Sequence, residues 1–479
     1  MYKISSGGRK RQEISLVVVS VVVLTCGWAK ACDDSLPPFQ GFGVFLGAVG
    51  HFASSPKDTV DQVVDRVYSD LGIRHYRISY ESQFSPEPNN YTISCSLSRF
   101  ACTWIQLLDT ISKYDKENDK ISVIASIWSP PHYMKNPILN TLKESHEQDF
   151  YYFIKNITEI IKQQFNGLQI EKVSPVNEPE NIVASWEHTN MMPSQLCRMV
   201  KAMNDSLVSL CPENSYYWMS ELYANYTDEE SGISCRDSCD TFATHGYTLD
   251  IDYWSPYRLY AYYDPGKYSR FTSKPIWLTE VSSTFPRLPT VANQLKEGLD
   301  LATNIVNFVG TSCVQRYYFW SMYTDSDSGE SLIWGNFSEN STLAGDHVFY
   351  YPKTYHIYKH FTKASFGGDK YIKDCKIRLD PISSSNSQEE QLCLKFADKI
   401  NNTSITVFLN KGDDHVKLEG ASCVSSSTLC CTAQEFDWWC TAVDDEPIIL
   451  PKKSVCSCQT RLDDNSEFIA SSDIFSNEV

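Results

Sequence analysis

The 479-residue chain contains no Gly-x-Ser-x-Gly stretch, and its "SHEQDF" (145–150) lacks the second histidine that a zinc-protease helix needs. A serine-elbow hydrolase and a His-Glu metalloprotease are thereby excluded. Positive charge is scarce: 42 Lys and Arg stand against 59 Asp and Glu, for a net charge of −17. That sign repels nucleic acid and anionic membrane surfaces and suits an acidic, soluble protein. No second Cys pair or His pair completes a tetrahedral set around Cys235 and Cys239. Neither a metal nor a cofactor is therefore expected. Long apolar runs are also missing, since the stretch from Ile14 to Thr25 falls short of the ~20 residues that span a bilayer. No internal repeat is visible.

That short apolar run follows the basic Arg9-Lys10-Arg11 and precedes "AKA" (29–31), the layout of a secretory signal peptide cleaved after Ala31. No stable membrane insertion is expected after cleavage. Of 17 cysteines, loss of Cys26 leaves an even number, eight from Cys32 to Cys313 and eight from Cys375 to Cys458. An even count fits an oxidising compartment, with each half closing its own bridges. Short loops suggest Cys95/Cys102, Cys197/Cys211 and Cys235/Cys239 as pairs. Eight Asn-x-Ser/Thr sites (Asn90, Asn156, Asn204, Asn225, Asn336, Asn340, Asn401 and Asn402) predict a glycosylated surface. The protein is expected to be extracellular, with the lysosome as the alternative.

From Gly41 onward, short β-branched or aromatic runs alternate with amphipathic stretches, as in repeated strand-helix units. The predicted strands are 42–47, 73–80, 121–129, 170–177, 216–222, 241–248, 276–283 and 315–323. Eight such units close a (β/α)8 TIM barrel, here over residues 41–366. Between them, Val60, Val63, Val64 and Val67 recur at helical spacing, and "FYYFIKNITEIIKQQF" (150–165) repeats the stripe. After about Phe366, short alternating runs between Ser/Asn/Gly/Asp clusters predict a Cys-rich antiparallel β-sandwich over 367–479.

In such a barrel the chemistry sits at the C-terminal ends of the strands. Two predicted strands carry glutamate there: Glu178 in "SPVNEPE" closes the fourth, and Glu280 in "IWLTE" ends the seventh. Strands four and seven approach the mouth from opposite sides, so their carboxylates can flank one bond. Such a pair is the apparatus of glycoside hydrolysis, and retention of configuration requires a separation of ~5 to 5.5 Å.

At these motifs the chain resembles glycoside hydrolase family 30, within the clan of retaining (β/α)8 glycosidases. "GFGVFLG" (41–47), "IWSPPHYMK" (127–135), "SPVNEPE" (174–180), "HGY" (245–247), "WLTE" (277–280) and "FWS" (319–321) carry the likeness. The resemblance implies Glu178 as acid/base, Glu280 as nucleophile and Asn177 as the amide that holds a sugar 2-hydroxyl. It places Arg77 beside the nucleophile and Tyr247 within reach of it, with His245 nearby either as a substrate contact or as core packing. Trp128 and Trp320 are positioned like sugar-stacking platforms, and Trp186 either lines an outer subsite or packs its loop. The family's side domain also recruits the N-terminal segment, here about 32–40.

Two departures narrow the substrate. The opening "GFGVFLGAVGHFA" differs from the "GFGGAFTDA"-like form of glucosylceramidases, and "SMYTDSDSGESLIW" (321–334) offers acids but no arginine for a glucuronate. The resemblance then favours an oligo- or polysaccharide partner, a neutral β-linked chain such as β-1,6-galactan. A lysosomal glucosylceramidase-like enzyme and a non-catalytic carbohydrate-binding barrel are the alternatives.

Overall fold

A computed structural model describes residues 37–47, 57–114, 121–165, 168, 170–182, 184, 186–204, 209–215, 217–246, 274–282, 291–324, 330–336, 348–373, 375–379, 391–419, 423–424, 428–443, 448–461 and 467–472. The signal segment and Tyr247 lie outside the described residues. The barrel strands are β1 (Gly41–Phe45), β2 (His75–Tyr80), β3 (Ser122–Ile127), β4 (Ile170–Ser174), β5 (Leu210–Asn214), β6 (Thr241–His245), β7 (Ile276–Glu280) and β8 (Arg316–Phe319). They form one parallel sheet in the order β4-β3-β2-β1-β8-β7-β6-β5. Two isolated parallel bridges, Val173 to Ser209 and Asn177 to Glu213, join β4 to β5 and close the ring.

Seven of the eight predicted strands overlap these elements, and the fifth does not. Residues 216–222 fall largely in helix α5 (Tyr217–Asn225), and the strand is the preceding "LCPEN". Proline and two polar residues hide that strand from a search for β-branched runs. Pro212 is tolerated because the β5/β6 register slips between Leu210 and Glu213, where no ladder N–H is required. The eighth predicted strand also divides. β8 stops at Phe319, and Ser321–Thr324 opens a separate three-stranded sheet, leaving Trp320 at the joint.

The helical stripes are core faces, as their spacing requires. In α1 (Lys57–Asp65) and the turn after it Val60, Val63, Val64 and Val67 are buried, and in α3 (Glu147–Gln164) Phe150, Phe153, Ile154, Ile157 and Ile161 are. Inside the barrel Ile124, Leu210, Ala243, Trp277 and Tyr318 form a separate apolar cluster. Below it Arg316 of β8 grips Glu171 of β4 with bonds of 2.7 and 2.9 Å and lies 4.1 Å from the Trp277 ring centroid. This end is filled, so the opposite, C-terminal end must hold the chemistry.

The disulfides correct two of the expected pairs. Cys95–Cys102 forms, whereas Cys197 joins Cys235 and Cys211 joins Cys239. The last two partners flank one short helix (Cys235–Ser238), and each reaches a different element, α4 (Pro193–Asn204) and β5. Cys375–Cys393, Cys423–Cys458, Cys430–Cys440 and Cys431–Cys456 cross-link the C-terminal unit internally. That unit stacks a six-stranded sheet and a four-stranded one, antiparallel apart from the parallel pairing of Lys376–Leu379 with Glu467–Ser472. Phe39 pairs with Lys370, tying the segment before β1 to the chain just ahead of its first strand.

The helix after β8 (Lys353–Ser365) ends at Gly367 and Gly368, whose φ of +84° and +111° only glycine adopts without strain. It carries His360 into the contact with the side domain, where Ser457 Oγ lies 2.7 Å from Nδ1 and Thr432 Oγ1 lies 3.1 Å from Nε2. Trp438 sits 4.4 Å from the same ring and beneath Lys359, which makes it interface packing, while Trp439 is 50% exposed. Burial first, then the charges of His356 and Lys359, push His360 down to about 3. An unfolded chain binds that proton near 6.5, so stability is full above 6.5 and drains as pH falls towards 3. One such group contributes a slope approaching ~1.4 kcal/mol per pH unit. Melting curves between pH 7 and 4.5 should therefore fall less steeply for His360→Asn than for the parent chain, and parallel slopes would dismiss this linkage.

Candidate active site

Arg77 stands at the centre of the barrel mouth and is fully buried. Alternation along β2 sends Tyr76, Ile78 and Tyr80 to the outer core and Arg77 inward. Its guanidinium is used on every edge. One terminal nitrogen donates to Glu280 Oε2 at 2.5 Å, the other to Asn177 Oδ1 at 2.8 Å, and Nε donates to Ser126 Oγ at 2.9 Å and lies 3.0 Å from Glu213 Oε1. β2, β3, β5, β7 and the end of β4 thus converge on one cation.

Glu178 follows the Asn177 bridge with φ +48°, a left-handed conformation rare for a residue with a Cβ. The bend is held by Glu178 N–H donating to Glu213 O at 2.8 Å and by Asn181 N–H donating to Glu178 O at 3.0 Å. Its carboxylate accepts from Asn181 Nδ2 at 2.8 Å and meets His245 Nδ1 at 2.9 Å. Glu280 reaches the mouth from β7, where the register with β6 slips between the pairs Thr244/Leu278 and His245/Glu280. Leu278 packs in the outer core, so unbroken alternation would turn Glu280 outward too; the irregularity re-aims it.

One oxygen from each of these glutamates and a ring nitrogen of His245 lie within 4.8 Å of one another. His245 Nε2 is 3.8 Å from Glu280 Oε2, so the imidazole bridges both acids. Burial drives the Glu178 carboxyl upward, but the bond and charge of His245, then Asn181 and Arg77, outweigh it and hold it below its ordinary range. For His245 burial acts downward and is overcome by Glu280 and Glu178, which leaves the imidazole above its ordinary 6.5. Both shifts favour the charged form of their group, so the 2.9 Å contact sets a carboxylate against an imidazole disposed to hold a proton.

An aromatic wall lines the mouth beside Arg77. Phe45, at the end of β1, stacks on Trp320 with centroids 4.6 Å apart and planes 4° from parallel. Trp128 packs 5.4 Å from Phe45 and 6.0 Å from Trp320, with the Arg77 guanidinium 4.8 Å from its ring centroid. Both tryptophans keep part of their surface exposed. Trp186, on the loop after Glu178, is 46% exposed. Glu330, beyond β8, is pushed upward by burial and by the charge of Glu280, which puts a further acid near this end of the site.

The structure therefore brings together Arg77, Asn177, Glu178, His245 and Glu280, and sets Trp128 and Trp320 beside them. Sequence reasoning missed Phe45 as part of the wall and Glu213 as a third buried carboxylate. Glu213 was legible only with strand five in its true place, as the strand-end acid of "LCPEN".

No family model matches the sequence, and no curated protein matches it. Solved structures do match. A GH30 endoxylanase from Clostridium papyrosolvens C71 superposes with a TM-score of 0.62 at 18% identity, covering 91% of this chain and 98% of that one. The catalytic domain of GH30 xylanase C from Talaromyces cellulolyticus gives 0.62 at 16%, with 90% and 99% covered. An endo-β-1,6-glucanase gives 0.58 at 15%, with 88% and 92% covered. The chain has the barrel-and-side-domain fold of family 30 glycosidases, over nearly its whole length.

Proposed function

We propose that the chain is a retaining β-glycosidase that works outside the cell on a neutral β-linked glycan. The observation that carries this reading is the approach of Glu178 and Glu280 to within 4.8 Å across a buried cluster holding Arg77 and His245. Inversion needs room for a water between the acids and a separation of ~6.5 Å or more. In the first step a Glu280 oxygen attacks the anomeric carbon as the glycosidic C–O bond breaks and the leaving oxygen takes a proton through Glu178. In the second step Glu178 removes a proton from water, the water oxygen attacks the same carbon, and the Glu280 ester is released as carboxylate. Two inversions return the β configuration.

Arg77 serves this scheme by pairing with the Glu280 carboxylate and by turning the Asn177 amide so that its nitrogen can meet a sugar 2-hydroxyl. Trp320, backed by the fully buried Phe45 stacked against it, offers a flat apolar face for the C–H face of a pyranose. The absence of an arginine from 321–334 favours an uncharged sugar, and β-1,6-galactan heads the candidate substrates. The bridges already described, together with the absence of any membrane-spanning helix among the described residues, accord with an extracellular site of action.

The test is hydrolysis of a panel of aryl β-glycosides beside β-1,6- and β-1,4-linked polysaccharides, with the first-formed anomer followed by proton NMR. A β product is expected. A first-formed α anomer would replace retention with inversion, and a panel left wholly intact would favour a binding barrel.

A further inference from the structure

Glu213 is fully buried at the end of β5, yet it has no place in the two-carboxylate scheme. Among the described residues, Arg77 is the cation in ion-pair contact with it, at 3.0 Å. An isolated buried carboxylate is costly, so this one is expected to serve the group it faces. Its backbone is engaged in the same place. Glu213 N–H donates to Val176 O at 3.2 Å, and its carbonyl accepts the N–H of Glu178.

We infer that Glu213 is a positioning residue for the reaction, holding the Nε edge of Arg77 and supplying the counter-charge that Arg77 keeps when Glu280 is consumed. The inference rests on the retaining reading of Glu280. In the resting site Arg77 is shared between two carboxylates, Glu213 and Glu280, while Asn177 and Ser126 give it neutral partners only. When Glu280 becomes an ester its charge disappears from the pair. Without Glu213, Arg77 would then be a buried cation with no anion, a state that is strongly unfavourable. With Glu213 in place the guanidinium stays paired through both steps, and its grip on Glu280 is weaker than a one-to-one ion pair would be. Glu280 is thus free to attack.

Glu213→Gln keeps the shape beside Nε, whose hydrogen goes to Ser126, and removes only the charge. On the aryl β-glycoside that the parent chain cleaves fastest, kcat should fall roughly a hundred- to a thousandfold with KM changed less than about threefold. A fall in kcat with KM nearly unmoved is not what loss of structure by itself would give. Parent-like kcat overturns the proposal. Should this variant fail to fold, Glu213→Asp keeps the charge at shorter reach and must retain clearly more of the parent kcat than the roughly hundredfold loss expected of the neutral variant; an equal loss counts against the charge-sharing role.

A second measurement needs no turnover. In a thermal double-mutant cycle, the loss of Tm in Glu213→Gln/Glu280→Gln should exceed the sum of the two single losses, since only the double variant strips Arg77 of both anions. Additive losses would overturn the shared counter-charge. Full activity in Glu280→Gln alone would instead sink the nucleophile reading, which separates the two failures.

Discussion

Glu280→Gln should lower kcat by roughly four orders of magnitude or more while the affinity for a product sugar changes little. The amide has the size of the carboxylate and can still accept from Arg77, so the mouth of the barrel should keep its shape. What it lacks is the charge that attacks the anomeric carbon and the oxygen that forms the ester. The effect is expected to be this large because no other group can take over the attack. Glu178 is held by Asn181 and His245, and Glu213 lies on the far edge of Arg77. Binding, measured by calorimetry with a product sugar identified in the glycoside panel, should survive because the aromatic wall and Asn177 are untouched. The smaller Glu280→Gly should regain turnover with azide and release an α-glycosyl azide, since a single displacement from the vacated side inverts the anomeric carbon. Residual activity within tenfold of the parent chain would remove Glu280 from the role.

The same cluster explains how attack and protonation can be timed together. Glu280 supports the charge on His245 from 3.8 Å, and Glu178 does so from 2.9 Å. On the proposed mechanism Glu280 would give up its charge to the sugar, and the imidazole would lose one of the two carboxylates that favour its protonated form. His245 would then be a stronger acid, able to pass a proton to Glu178 as the leaving oxygen needs it, and Glu213 would make the complementary adjustment on Arg77.

Much of this site could be read from the chain alone, because the signals that place it are local. A strand-end acid followed by proline, as in Asn177-Glu178-Pro179, and a second acid closing "IWLTE" need no knowledge of the fold beyond the count of strands. Arg77 came from the family resemblance, at the end of a clearly β-rich run. What escaped was set by tertiary context. The strand "LCPEN" reads as a loop, since its proline is acceptable only at a slipped register and its edge on β4 is joined by isolated bridges. With that strand misplaced, Glu213 could not be seen as a strand-end carboxylate. The raised proton affinity of His245 was hidden for a related reason. A lone histidine carries no mark of its neighbours, and it is the contact of β6 with both β4 and β7 that sets its charge. Two of the three expected cysteine pairs failed likewise, because nearness in sequence favoured Cys235 with Cys239 when the helix between them sends each to another element.

Replacing Glu178 by Ala separates the two halves of the reaction by leaving-group chemistry. Substrates with poor leaving groups, such as a sugar hydroxyl, should slow by about 10² to 10⁴, the usual contribution of a positioned acid. Dinitrophenyl glycosides need no proton at the leaving oxygen, so their first step should stay near the parent rate and the ester should accumulate, because the base for water is also gone. A burst of dinitrophenol followed by slow turnover is therefore expected, with azide restoring turnover and giving a β-glycosyl azide. The pH profile supplies an independent sign. Since Glu280 and Glu178 raise His245 above 6.5, the Glu178–His245 pair loses its proton at a higher pH than an isolated imidazole would, as one coupled unit. The parent chain should accordingly show an alkaline limb above pH 6.5 on substrates with poor leaving groups, and the variant should lack it. Equal slowing of sugar and dinitrophenyl leaving groups would place Glu178 outside the proton transfer, and the His245 pair would then be a structural contact.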